Sequence, residues 1–76
     1  LTDPFSGGTF IVGTDIAAGP WRHDASGQCF WQRLSGFSGD LDEIITEHSD
    51  DPQVVEIAES DAGFFSADCG TWTKVD

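Results

Sequence analysis

The chain has 76 residues, and its 14 acidic residues against only 3 Lys or Arg give a formal net charge of −11 at pH 7. This length allows one domain, and the acidic balance disfavours nucleic acid and anionic membranes, which are bound through clustered Lys and Arg. It favours basic partners or cations, and no apolar run approaches the roughly 20 residues of a membrane-spanning helix.

The predicted elements are mostly β-strands joined by glycine-containing turns. A lead-in segment, residues 1–8, precedes a single β domain over residues 9–76. The strands follow from β-branched and aromatic composition between turn signals; in chain order they cover residues 9–13, 21–23, 29–34, 54–58 and 64–75. We therefore expect a mainly β fold, a small antiparallel β-sandwich or barrel-like domain.

The stretch 29–34, CFWQRL, gives the strongest strand prediction. Its alternation places Cys29, Trp31 and Arg33 on one face and the intervening residues on the other. A partly buried Arg33 needs a carboxylate partner, so we expect an internal ion pair, with a ligand-binding role for Arg33 as the alternative. His23 and His48 flank predicted loops and are expected at the surface.

The segment 40–48 permits two structures. Asp40 followed by Glu43 matches a capping box, and apolar residues repeat at helical spacing, which predicts a short helix around 41–48. The β-branched run at 44–46 and the turn-rich stretch after it instead predict a strand, in a hairpin with residues 54–58. The sequence leaves both alternatives open.

The cysteine content predicts one disulfide. A domain this small buries only about 60% of its unfolded-chain surface, so its core usually needs a supplement. Cys29 and Cys69 are the only cysteines, and together with His23 and His48 they lack the closely spaced pairs typical of zinc sites. A Cys29–Cys69 bridge closes a loop of about 40 residues and stabilises the fold by about 4 kcal/mol on the chain-entropy model.

A disulfide indicates an oxidising compartment, so we expect a secreted or cell-envelope protein. The chain does not begin with Met and shows no signal peptide. We interpret it as a mature form or an excised domain whose targeting segment lies upstream.

Three stretches carry a family resemblance: FIVGTDIAAG at 10–19, CFWQRLSGFSGDLDEII at 29–45 and SADCGTWT at 66–73. They resemble a small secreted or lipoprotein domain of actinobacterial exported proteins, over about residues 8–74. The resemblance implies an exported, mostly β domain with paired cysteines, and it implies no established activity. The chain departs from the usual pattern at AAGPW (17–21) and at EHSDDPQ (47–53), where the loop is more acidic.

Two patterns in the acidic middle of the chain suggest sites. The sequence GFSGD at 36–40 approaches the nucleophile elbow G-x-S-x-G but ends in Asp, so we interpret it as a tight turn and predict no catalytic residue. No cofactor is expected, with calcium as the one alternative. An irregular calcium site would use Asp40, Asp42 and either Asp50 or Asp51, although a solvated acidic face explains the same cluster.

Nine aromatic residues provide both core and candidate binding residues. The expected core residues are Phe10, Trp31, Phe37 and Trp72. An exposed pair, Trp21 with Phe64 or Phe65, is the candidate binding patch.

These features favour an exported, non-catalytic module that binds a protein or a cell-envelope polymer. One alternative is a small secreted inhibitor of another enzyme, which would use a protruding loop at 24–28 or 48–52. A second alternative is a structural appendage of a larger exported protein. The sequence predicts neither the ligand nor the oligomeric state.

Overall fold

A computed structural model describes residues 1–25, 28–49 and 53–75. Two antiparallel sheets make up the fold, as predicted. One sheet has the strand order β1-β6-β3-β4 and the other the order β5-β2-β7. The strand bounds are β1 Gly8–Ile11, β2 Gly19–His23, β3 Phe30–Leu34, β4 Ile44–Ser49, β5 Val54–Ile57, β6 Gly63–Ala67 and β7 Trp72–Lys74.

Alternating burial shows which face of each sheet points to the core. In β2, Trp21 and His23 are buried while Arg22 is exposed. In β5, Val55 and Ile57 are buried and the residues preceding each of them are exposed. Because strand side chains alternate between faces, the three-stranded sheet has one buried and one solvent-facing surface.

Aromatic side chains from both sheets form the centre of the core. Phe64 of β6 contacts Trp72 of β7 edge-to-face, with ring centroids 5.1 Å apart, and it stacks on Trp31 at 6.0 Å. The indole Nε1–H of Trp72 donates a hydrogen bond of 2.7 Å to the hydroxyl of Ser66. Trp31 and Trp72 were predicted in the core, and both are buried.

The segment predicted as a lead-in adds a ring to this core. Phe5 contacts Trp21 and Phe10, with centroids 4.9 Å and 4.5 Å away. Its backbone exchanges two hydrogen bonds with Trp72, of 2.7 Å and 3.1 Å. Residues before β1 therefore contribute to the packing of the domain.

The predicted disulfide is present. Cys29 lies immediately before β3 and Cys69 lies shortly after β6, and the bridge between them spans a sequence separation of 40. Both cysteines are buried and belong to the core cluster. The covalent link thus joins two neighbouring strands of the four-stranded sheet at one end.

The segment 41–48 combines the two predicted alternatives. Leu41–Glu43 form a single 3-10 turn, and β4 begins at Ile44. Asp40 makes no side-chain capping bond, so the capping-box prediction is wrong. The expected hairpin with residues 54–58 is also wrong, because β4 pairs with β3 whereas β5 belongs to the other sheet.

The last predicted strand, 64–75, is interrupted. Asp68 and Gly70 have φ angles of 61° and 71°, which no extended strand contains. The chain turns there, so that β6 and β7 lie in different sheets. Within the described residues, no helix is long and apolar enough to cross a membrane.

Candidate functional site

The predicted exposed aromatic pair is mostly buried. Trp21 and Phe64 are fully buried, so the expectation that they form a surface patch is wrong. Both lie at inward-facing strand positions, where Phe64 pairs in register with Phe10 and Arg33. Phe65, the next residue, points to the opposite face and is half-buried.

Phe65 lies on the solvent side of the four-stranded sheet, which we call the outer face. In register, Phe65 stands between Thr9 of β1 and Gln32 of β3. The ring of Phe30 contacts the ring of Phe65, with centroids 6.2 Å apart. Leu34 of β3 lies two residues after Gln32, so it points to the same face, and it is also half-buried. The outer face therefore carries large apolar side chains among its polar ones, whereas an exposed sheet face is usually polar.

Phe37 extends this surface, contrary to its predicted place in the core. Its ring lies over Gly63 of β6, where a Cβ atom would collide with the ring, and Phe37 stays 50% exposed. The nearby Leu41 is 83% exposed, the most exposed large apolar residue in the described part of the chain. The loop after β3 and the 3-10 turn that follows it thus place two apolar side chains beside the sheet.

A trough of about 350 Å³ lies between this loop and the outer face. Its lining combines aromatic, aliphatic and acidic side chains. The lining residues are Thr9, Gln32, Leu34, Gly36, Phe37, Gly39, Asp40, Leu41, Glu43, Ile44 and Phe65. Ser38, at the centre of the rejected nucleophile elbow, is exposed beside this trough.

Hydrogen bonds from Ser38 hold the Glu43 carboxylate in place. The Ser38 hydroxyl donates to Glu43 Oε1 at 2.6 Å, and the Ser38 amide donates to the same oxygen at 2.9 Å. The side-chain hydrogen bond is the main cause that lowers the pKa of Glu43 below its ordinary value. Glu43 is therefore a fixed negative charge in the trough at neutral pH.

Arg33 forms the predicted ion pair on the other side of the sheet. Its Nε donates to Asp61 Oδ2 at 2.6 Å and its Nη2 donates to Asp61 Oδ1 at 3.0 Å. The hydrogen bond to Asp61 raises the pKa of the Arg33 guanidinium. The remaining basic residues, Arg22 and Lys74, belong to the three-stranded sheet. All three lie within the described residues, so the outer face holds no Lys or Arg.

The histidine prediction fails for His23. Its ring is buried in an edge-to-face contact with Trp72, at a centroid distance of 5.0 Å. Its Nδ1 accepts a 3.3 Å hydrogen bond from the amide of Ala25. His23 lies in the core because it occupies an inward-facing position of β2. The sequence indicated only that it lies next to a predicted loop.

The predicted calcium ligands fall partly outside the described residues, since Asp50 and Asp51 are not among them. Asp40 lies just before the 3-10 turn and Asp42 lies within it, and both are exposed. Across residues 1–25, 28–49 and 53–75, no group of three or more His, Cys, Asp or Glu side chains could hold a metal ion. The calcium site stays a prediction.

A second cleft, of about 930 Å³, lies at the end of the molecule where β5 turns toward β6. Its lining is mainly small and aliphatic, including Ala17 and Ala18, with Glu56 and Glu59. It lacks an aromatic ring, which is the common anchor of protein interfaces. The outer face is thus the stronger candidate for an interaction surface.

The family model of the Rv1352-like extracellular domain matches residues 2–73. The chain belongs to this family. Family membership and the Cys29–Cys69 disulfide agree with the predicted location outside the cytoplasm. Comparisons with curated proteins and with solved structures gave no match. The Rv1352-like domain is thus a small exported β domain, and the outer face is its candidate site.

Proposed function

We propose that this Rv1352-like domain is a non-catalytic interaction module that binds a partner protein through its outer face. The observation that supports this function is the solvent-exposed apolar surface around Phe37, Leu41 and Phe65. Exposing such side chains is unfavourable, since each loses the free energy of burial, and contiguous exposed patches commonly mark binding sites.

A protein partner agrees better with the exposed rings than a glycan does. All three tryptophans, Trp21, Trp31 and Trp72, are buried in the core. The rings on the outer face belong to phenylalanines, which have no polar group for a sugar hydroxyl. Phenylalanine and leucine are suited to apolar side chains of another protein. A cell-envelope polymer is the alternative that the experiment below distinguishes.

A non-catalytic role agrees with the described polar residues. The Ser38 hydroxyl is bonded to the Glu43 carboxylate, and no histidine takes part in that contact. The Arg33 guanidinium is bonded to Asp61.

The inhibitor hypothesis depends on the loops 24–28 and 48–52, and residues 26, 27 and 50–52 lie outside the described residues. We also propose the lipoprotein-like, actinobacterial origin on the sequence resemblance alone.

Retention of envelope proteins by the immobilised domain tests the proposed surface. Leu41→Ser removes an apolar side chain that is 83% exposed, so the fold should be unaffected. Val54→Ser is the matched control, because Val54 is 44% exposed on the three-stranded sheet. Secreted and cell-wall fractions are applied with calcium and with chelator.

We expect the wild type and Val54→Ser to retain the same proteins and Leu41→Ser to lose them. Equal retention by Leu41→Ser and Val54→Ser would contradict the use of the outer face. Retention of a soluble cell-wall glycan without protein would contradict a protein partner. Retention that requires calcium would support the predicted calcium site at Asp40 and Asp42.

A further inference from the structure

We infer that the outer face takes a basic amphipathic segment of its partner. Apolar side chains of that segment fill the trough, and a Lys or Arg beside them pairs with Asp40 and Glu43. This inference rests on the proposed function and adds the chemical class of the partner.

The composition of the trough is the first argument. Asp40 and Glu43 line the same depression as Phe37, Leu41 and Phe65. A ligand that buries its apolar side chains there also approaches two carboxylates. An acidic ligand would be repelled by them, and a neutral ligand would remove water from them without replacing it.

The fixed position of Glu43 is the second argument. Two donors of Ser38 orient its carboxylate. Gly36 lacks a side chain, and a Cβ atom there would collide with this carboxylate, so the loop backbone lies close against it. An oriented carboxylate loses less freedom when a cation binds than a mobile one does.

The distribution of basic residues is the third argument. Arg33 is paired with Asp61 on the inner side, and Arg22 and Lys74 belong to the three-stranded sheet. The carboxylates on the outer face therefore have no Lys or Arg beside them, as all three such residues are among those described. With a net charge of −11, the whole chain also attracts a cationic segment over long range.

A defined peptide probe tests the inference. The probe is a short acetylated and amidated peptide of alternating leucine and arginine, added to the ¹⁵N-labelled domain at physiological salt. Two comparison ligands are the peptide with serine in place of arginine and a neutral glucan oligosaccharide. Amide chemical shifts report the contact surface and the dissociation constant.

Charge-matched variants separate a local effect from general attraction. Asp40→Asn with Glu43→Gln removes two charges from the trough and preserves side-chain shape. Glu56→Gln with Glu59→Gln removes two charges from the second cleft. Because an exposed ion pair contributes up to about fivefold in affinity, we expect the first variant, which removes two carboxylates, to bind about fivefold and at most about 25-fold more weakly. The second should bind within about twofold of the wild type.

The expected result is a set of shifts confined to the trough and its neighbours, at residues 9, 32–44 and 63–65. Equal weakening by both double variants, or shifts spread over every acidic region, would overturn the inference. Equally tight binding of the serine peptide at the same residues would overturn the basic partner and leave the proposed function standing. Preference for the glucan at this face would overturn both. Absence of any binding to the face would overturn the inference, and the Leu41→Ser retention experiment then decides the proposed function.

Discussion

The Arg33–Asp61 pair gives a stability prediction whose size follows from its geometry. The Asp61 side chain is 1% exposed and that of Arg33 is 22% exposed. The carboxylate accepts two hydrogen bonds from the guanidinium and a third, of 3.1 Å, from the amide of Ala58. Asp61→Ala therefore leaves the partly exposed Arg33 guanidinium and the Ala58 backbone N–H without their acceptor.

Breaking a buried ion pair by removing one partner costs about 3–5 kcal/mol. We expect Asp61→Ala to lower the free energy of unfolding by about 3 kcal/mol, because the partly exposed guanidinium can be rehydrated. We expect Arg33→Met to lower it by about 4 kcal/mol, because the buried carboxylate is left without its cation. A domain of 76 residues has a total stability of about 4–11 kcal/mol. Each single variant should therefore have a greatly reduced free energy of unfolding.

Urea denaturation at pH 7, followed by tryptophan fluorescence with the disulfide intact, measures these losses. The double variant Arg33→Met, Asp61→Ala removes both charges and should lose less than the sum of the two single losses. A double variant that loses the sum of the two single losses would refute a direct coupling. Single losses below about 1 kcal/mol would show that solvent screens the pair as it does at a surface.

Three further predictions concern the disulfide, the core and the trough. Replacing both cysteines by alanine should lower the free energy of unfolding by about 4 kcal/mol, and a urea midpoint unchanged by the replacement would contradict the role of the bridge. Ser66→Ala should cost about 2 kcal/mol in the same assay, because the buried indole N–H of Trp72 loses its acceptor, whereas the exposed Ser6→Ala should cost nothing measurable. Ser38→Ala should raise the pKa of Glu43 toward its ordinary value, as measured by NMR titration of the carboxyl carbon, and an unaltered pKa would show that Ser38 is not the cause. Because the folded-state pKa of Glu43 is the lowered one, the stabilisation from this contact is present above the unfolded-chain pKa and disappears as pH falls through the folded value.

Local patterns predicted the strands well where alternation was clear. The alternation in 29–34 predicted that Cys29, Trp31 and Arg33 share one face, and in the structure that face points to the core. The pattern failed at 64–75, where the left-handed backbone of Asp68 and Gly70 divides a continuous β-like composition into two strands. A sequence shows that glycine is permitted at such a position, but it does not show that the chain turns there.

The candidate site was predicted only in part, because exposure depends on which face of a strand meets the second sheet. Phe64 and Phe65 are equivalent in sequence, and only pairing with β1 and β3 decides that Phe65 is the outward one. Phe37 was expected in the core because it is aromatic. Its place on the outer face depends on Gly63, which is distant in sequence and leaves room for the ring.

By itself, the sequence determined the class of the protein: a short, acidic, mainly β domain with one disulfide and an extracytoplasmic location. Composition and the single pair of cysteines suffice for these properties, because they depend on total charge, chain length and the redox state of the compartment. Only the tertiary structure decided that Asp61 is the partner of Arg33 and that Phe37 and Leu41 share one trough with Phe65. These contacts join residues from separate strands and loops, and strand order and register, which local sequence does not encode, bring them together.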